Sequence, residues 1–303
     1  MGVQPEAQAY QPLRQARHET LRVRGLDVHI TRWGPPPSVG DSPLFLLHGW
    51  LDAGGTFQFL VDALKEDRPV VALDWRGFGL SQWAPDGYFF HDYIADLDEL
   101  LDQVSPFAPA RILGHSMGGN VANLYAGVRR ERVRCLVNLE GFGLSRTSPN
   151  EAPARMRKWL DQIKKPTTER GYNSFEQLTA VLQFRYPRFS PETAAFVARV
   201  WGIAEDDGRV RLAADPRHHW VNPLVYRRED AEATWQEIRA PMLMLLGEQS
   251  DYLQRLGDEG TIEGLRRIFP GAELASIPDT GHMLHIERPD LVAPLIEAFL
   301  DAN

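Results

Sequence analysis

Ser116 stands between two glycines in Gly114-His-Ser-Met-Gly118. An apolar run of strand length ends at Leu113, and a segment of helical period opens at Met117. A serine so placed rides on a sharp turn from strand to helix. The flanking glycines let neighbouring backbone pass without a Cβ clash, and the hydroxyl projects from the carboxyl end of a sheet. A hydroxyl is a weak nucleophile near neutral pH and needs a base within reach, a task that suits histidine. Of nine histidines, His282 fits best, because Gly281 turns the chain after the run ending at Ile277 and a last helix follows. The chemistry this pair implies is acyl transfer through serine. Its oxyanion would be met by the N–H of Met117, at a helix start, and that of Trp50 in Leu47-His-Gly-Trp50.

The other histidines have plainer readings. His48 braces its loop, His115 packs on the far side of the turn from Ser116, and His285 lies where a helix begins. His218-His219 lacks companion ligands at metal spacing, so it is a loop feature. Cys135, the one cysteine, lies in an apolar run and is expected to be a small core residue. A net charge of −8, with scattered Lys and Arg, argues against a nucleic-acid partner. No apolar run approaches the ~20 residues of a membrane span, and no secretory signal is evident, so a cytoplasmic protein is expected.

Stepping along the chain, apolar runs alternate with helical periods, the pattern of an α/β fold with a mostly parallel sheet covered on both faces. Strands are expected at Leu21–Arg24 and Val28–Trp33 (a hairpin), Pro43–Leu47, Val70–Leu73, Arg111–Leu113, Val133–Leu139, Met242–Leu246 and Glu273–Ile277. Helices are expected at Gly55–Leu64, Tyr93–Val104, Met117–Val128 and Pro289–Leu300. Between about Leu144 and Trp235 the rhythm gives way to helical, aromatic-rich sequence, with a capped start at Ser190-Pro191-Glu192. The expected organisation is a loosely attached leader at 1–18, a core of 19–143 and 236–303, and a helical cap at 144–235.

In this order of motifs the chain resembles the α/β-hydrolase superfamily along nearly its whole length. The matching pieces are Leu47-His-Gly-Trp50, Asp74-Trp-Arg-Gly-Phe-Gly79, Gly114-His-Ser-Met-Gly118, and Gly281-His282 with Glu287-Arg-Pro289. The segment from Asp215-Pro-Arg217 to Tyr226 is similar to the serine hydrolase-like group. The resemblance implies a cap inserted after the sixth strand and a carboxylate after the seventh, in Gly247-Glu-Gln-Ser-Asp251. There it selects Asp251 to orient His282, although the spacing exceeds the common Gly-x-x-Asp by one residue; Glu248 is a weaker choice. The rival acid is Glu140, which ends the sixth strand, where some superfamily members carry theirs. A carboxylate ending a buried strand is costly unless it is paired.

The expected function is that of a carboxylesterase-like serine hydrolase acting on a small hydrophobic ester or acyl substrate, without cofactor or metal. Serine at 116 speaks against haloalkane dehalogenase or epoxide hydrolase chemistry, since an alkylated serine is an ether with no hydrolytic exit. A carbon–carbon bond hydrolase keeps the serine and stays open, as does a non-catalytic ligand-binding protein on the same fold.

Overall fold

The computed structural model describes residues 9–165 and 171–303. Its strands are β1 (Arg17–Val23), β2 (Leu26–Trp33), β3 (Leu44–Leu47), β4 (Val70–Leu73), β5 (Ala110–His115), β6 (Val133–Leu139), β7 (Gly202–Ala204), β8 (Val210–Leu212), β9 (Met242–Gly247) and β10 (Ala272–Ile277). The α-helices are α1 (Gln58–Ala63), α2 (Phe90–Val104), α3 (Met117–Val128), α4 (Ala152–Gln162), α5 (Phe175–Arg185), α6 (Pro191–Trp201), α7 (Arg228–Trp235), α8 (Asp251–Gln254), α9 (Ile262–Ile268), α10 (Leu284–Glu287) and α11 (Pro289–Ala302). The main sheet has the order β1-β2-β4-β3-β5-β6-β9-β10. β1, β2 and β4 pair antiparallel, and from β4 through β10 every neighbour is parallel. The sheet is therefore mostly parallel and flanked by helices, as the apolar rhythm requires.

The central strands are apolar at almost every position because both faces are covered. Side chains alternate between two cores. Phe45, Leu47, Ile112, Leu136, Met242 and Met244 enter one core, with Leu97, Leu101, Val121 and Tyr125 of α2 and α3. Leu44, Leu46, Leu113, Val137, Leu243 and Leu245 enter the other, with Leu60 of α1 and Val292 and Ile296 of α11. Cys135 is free and buried in this second core.

Between β6 and β9 lie α4 to α7, of which α5 and α6 form their own apolar cluster, whereas Ala231 and Trp235 of α7 join the first core. Leu178 and Leu182 of α5 meet Val197, Ala198 and Trp201 of α6, and Phe59, Met283 and Ile286 join from beneath. Ser190 caps α6 by accepting from the Thr193 N–H. This segment also holds the β7–β8 hairpin, turning at Asp206-Asp207-Gly208, where the sequence reads as a turn but no strands were expected within the helical cap. Its strands have three residues each, too short for their period to be heard.

Residues 1–8 of the expected leader lie outside the described residues. From Tyr10 onward the chain is tied down rather than loose. The Tyr10 hydroxyl and the Leu13 and Arg14 amides donate to the Asp62 carboxylate of α1, and β1 begins at Arg17. Among the described residues no helix is long and apolar enough to cross a membrane.

Candidate active site

The carboxyl ends of β5, β6 and β10 bring Ser116, Glu140 and His282 together. Ser116 follows β5 at φ 51°, ψ −111°, a conformation that side chains other than glycine rarely adopt. Two backbone bonds hold it there: its N–H donates to Leu139 O (2.8 Å), and its carbonyl accepts from Asn120 N–H (3.0 Å). The turn is possible only because its flanks are bare. A Cβ on Gly114 would lie 2.5 Å from the Gly118 carbonyl oxygen, and one on Gly118 would lie 2.1 Å from that of Leu47. Met117 opens α3, so its N–H has no partner within the helix.

Glu140 is the residue paired with His282. Its Oε2 lies 2.6 Å from His282 Nδ1 and accepts a second bond from the Ser250 hydroxyl at 2.6 Å. Oε1 accepts from Gly247 N–H at 2.8 Å. The carboxylate is buried with every bond aimed from a neighbouring strand end, which meets the cost of placing a charge there. The pairing assigns the proton to Nδ1 and leaves the Nε2 lone pair of His282 as its free face. Glu140 itself has φ 57°. An amide network braces this turn: Asn138 accepts from Gly141 N–H (2.6 Å), and Asn123 and Asn138 both donate to Gly141 O (2.7 and 2.8 Å).

The expectation for Asp251 is corrected by this geometry. Asp251 is an exposed first residue of α8, and Glu248 is exposed as well. Ser250 turns inward instead: it caps α8 and donates to Glu140. Counted from Gly247, Ser250 occupies the x-x-Asp position, so the one-residue departure in spacing was the signal that the acid sits elsewhere. Two further neighbours of His282 went unread in the sequence. The Tyr252 ring stacks on the imidazole at 3.9 Å between centroids, and His115 Nε2 donates to the His282 carbonyl at 2.9 Å. The loop before His282 is held by the Glu287 carboxylate, which accepts from Gly281 N–H at 2.6 Å.

Trp50 follows β3 with an exposed side chain whose ring meets His219 edge-on at 5.1 Å. His48 braces the same loop: its Nε2 accepts from Trp75 N–H, and its Nδ1 donates to Gly49 O. His218 is packed between Phe78 and Tyr88, with centroids 3.7 Å from each. Ser116, His282 and Trp50 border one cavity of about 110 Å³. The segment between β6 and β9 roofs it with Leu178, Val181, Leu182 and Trp201, and Met283 lines it from the core. A larger cleft, about 270 Å³, lies near Pro35–Pro37, at the opposite margin of the sheet from β6, β9 and β10.

Comparison with known proteins agrees with this architecture. The alpha/beta hydrolase fold family matches residues 42–289. The chain is 32% identical to serine hydrolase-like protein 2 of Homo sapiens over 287 residues, 89% of this chain and 90% of that one. It is 27% identical to the sn-1-specific diacylglycerol lipase ABHD11 of Mus musculus over 271 residues, 86% and 82% of the two chains. Among solved structures, the thioesterase domain from the curacin biosynthetic pathway superposes with a TM-score of 0.81 at 21% identity, covering 94% of this chain and 99% of that one. A serine on a left-handed turn after β5, a histidine after β10 and this match over most of the chain lead to one statement: the protein belongs to the alpha/beta hydrolase family, among its serine hydrolase-like members.

Proposed function

We propose that the protein hydrolyses small hydrophobic esters through a Ser116–His282–Glu140 triad. The observation that carries this reading is the 2.6 Å contact of His282 Nδ1 with a buried, fully bonded Glu140, beside a cavity that also holds Ser116.

His282 Nε2 takes the proton from Ser116 as the hydroxyl oxygen attacks the ester carbonyl. Glu140 stays ionised and stabilises the imidazolium, while Ser250 and Gly247 keep the carboxylate in place. The N–H groups of Trp50 and Met117 receive the oxyanion. His282 then protonates the departing alcohol, and water repeats the sequence on the acyl-enzyme. Leu178, Val181, Leu182, Trp201 and Met283 give the acyl or alcohol part an apolar seat. The resemblance to a diacylglycerol lipase is consistent with an ester of this kind.

Hydrolysis of p-nitrophenyl esters from short to long acyl chain tests the proposal. Ser116→Ala should abolish turnover above background, and Glu140→Gln should lower kcat by about 10²–10⁴-fold through the wrong tautomer of His282. Asp251→Asn should stay within about twofold of wild type. Turnover that survives Ser116→Ala, or falls further in Asp251→Asn than in Glu140→Gln, would overturn the triad. A folded wild type that cleaves vinylogous diketones but no ester would move the assignment to carbon–carbon bond hydrolysis.

A further inference from the structure

Beneath the cavity, a second group of side chains converges without any part in the proposed triad. Asp52, His115 and His285 are all buried, and one ligand atom from each lies within 4.8 Å of the others. Four of their polar atoms have no hydrogen-bond partner: Asp52 Oδ2, His115 Nδ1 and both ring nitrogens of His285. Buried polar atoms are rarely left so, and each one costs free energy.

The other ends of these groups are firmly held, which fixes what the free ends can do. Asp52 Oδ1 accepts from Ala53 N–H, the Thr56 hydroxyl and the Trp201 indole, at 2.8, 2.9 and 2.7 Å. His115 donates its Nε2 proton to the His282 carbonyl, so its Nδ1 carries a lone pair. Gly49 leaves the approach to that lone pair open, where a Cβ would stand 2.9 Å from Nδ1. A neutral His285 has a single N–H to set against the lone pairs gathered around it. The cluster is thus rich in acceptors and short of donors.

We propose that Asp52, His115 and His285 bind a divalent transition metal of the zinc class in the floor of the cavity. One carboxylate oxygen and two imidazole nitrogens form a common ligand set for zinc, and the hydrogen bond from the far nitrogen of His115 is the usual support for such a ligand. Some point between the three atoms lies within about 2.8 Å of all of them (4.8 Å divided by √3). Closing to the ~2.1 Å of a zinc bond needs a shift of several tenths of an ångström per side chain. Asp52 and His115 border the cavity, which leaves a coordination position facing it.

Zinc chloride titrated into metal-free protein against a chromogenic chelator tests binding, with cobalt absorption as a second readout. One ion per chain is expected in wild type and in His18→Ala, which removes the exposed His18–His29 pair. Asp52→Asn and His285→Phe should each weaken the ion by tenfold or more. Absence of binding in wild type, or binding unaffected by both variants, would overturn the site. Should those variants fail to fold, anomalous scattering at the zinc edge from wild-type crystals decides: a peak among the three residues supports the site, and none there overturns it. An ion here would also pull on His115 and slow hydrolysis through the His282 carbonyl. That consequence rests on the hydrolase reading, whereas binding is measured without turnover and fails or stands separately.

Discussion

Ser250 illustrates how much one side chain decides at this site. It donates to Glu140 Oε2, the same oxygen that faces His282 Nδ1, and so competes for and steadies one acceptor. In Ser250→Ala the Gly247 N–H still holds Oε1, so the carboxylate keeps one anchor and loses the other. A hydrogen bond to a charged group is worth about 1.5–3 kcal/mol. Ester hydrolysis by Ser250→Ala should accordingly fall by about 10–100-fold in kcat with little change in KM, and Ser250→Thr should recover part of it. An unchanged kcat would show that Gly247 alone positions Glu140. A raised KM at constant kcat would place Ser250 in substrate binding instead. The same residue explains why Asp251 was the wrong expectation. Both stand near the end of a strand, but only the side chain that caps α8 from within can reach across to β6.

At the scale of elements, the site depends on three turns that follow parallel strands. The turn after β6 is the least local of them, because its brace comes from α3. Asn123 is buried and donates to Gly141 O while accepting from Asn138. Removing it in Asn123→Ala leaves Gly141 O with one donor fewer and exchanges the 2.9 Å bond of one Asn138 N–H for the Gly119 carbonyl at 3.5 Å. The expected cost is about 1–3 kcal/mol of folding stability, read by urea unfolding. A loss of hydrolysis should accompany it, since Glu140 sits at φ 57° one residue away. A variant that unfolds earlier yet hydrolyses at the wild-type rate would show that the Glu140 turn holds without the amide network. The turn after β5, by contrast, is marked by its own glycines, although Leu139 O of β6 and Leu47 O of β3 close around it.

Across the whole molecule, burial of histidine sets the response to acid. His48, His115, His218 and His285 all have pKa values lowered by desolvation, to about 3 for His218 and His285. Unfolded, each would titrate near 6.5, so between that pH and the folded value the unfolded chain binds more protons. Stability from these groups is full above about pH 6.5 and is lost as pH falls towards the folded values. His18 is lowered in the same way, and Asp52 and Asp96, raised by burial, act in the opposite sense, two groups against five. Tm should therefore drop between pH 6.5 and 4.5 by about 2 °C per pH unit for each extra proton taken up on unfolding. Calorimetry in a series of buffers checks it, and a Tm that is flat or rises towards pH 4.5 would refute it. His218→Gln should flatten the slope by about one proton, because His218 is enclosed by Phe78 and Tyr88 rather than by the cavity.

By itself the sequence determined the α/β class, the order of strands and helices, and the identity of Ser116 and His282 as candidates. These are carried by short-range signals: apolar runs of strand length, helical period, and glycines placed where a Cβ would strike a carbonyl. Tertiary structure alone decided which acid meets His282, since Glu140, the Gly247–Ser250 turn and His282 are distant in sequence and meet only because β9 lies beside β6 and β10 beside β9. It also decided that Tyr10 and its neighbours dock on α1, that β7 and β8 form a hairpin under the roof, and that Asp52, His115 and His285 face one another. Apart from the hairpin, whose strands are too short to show a period, these are long-range juxtapositions of polar groups, and composition and periodicity report burial along a chain without saying which buried groups share a neighbour.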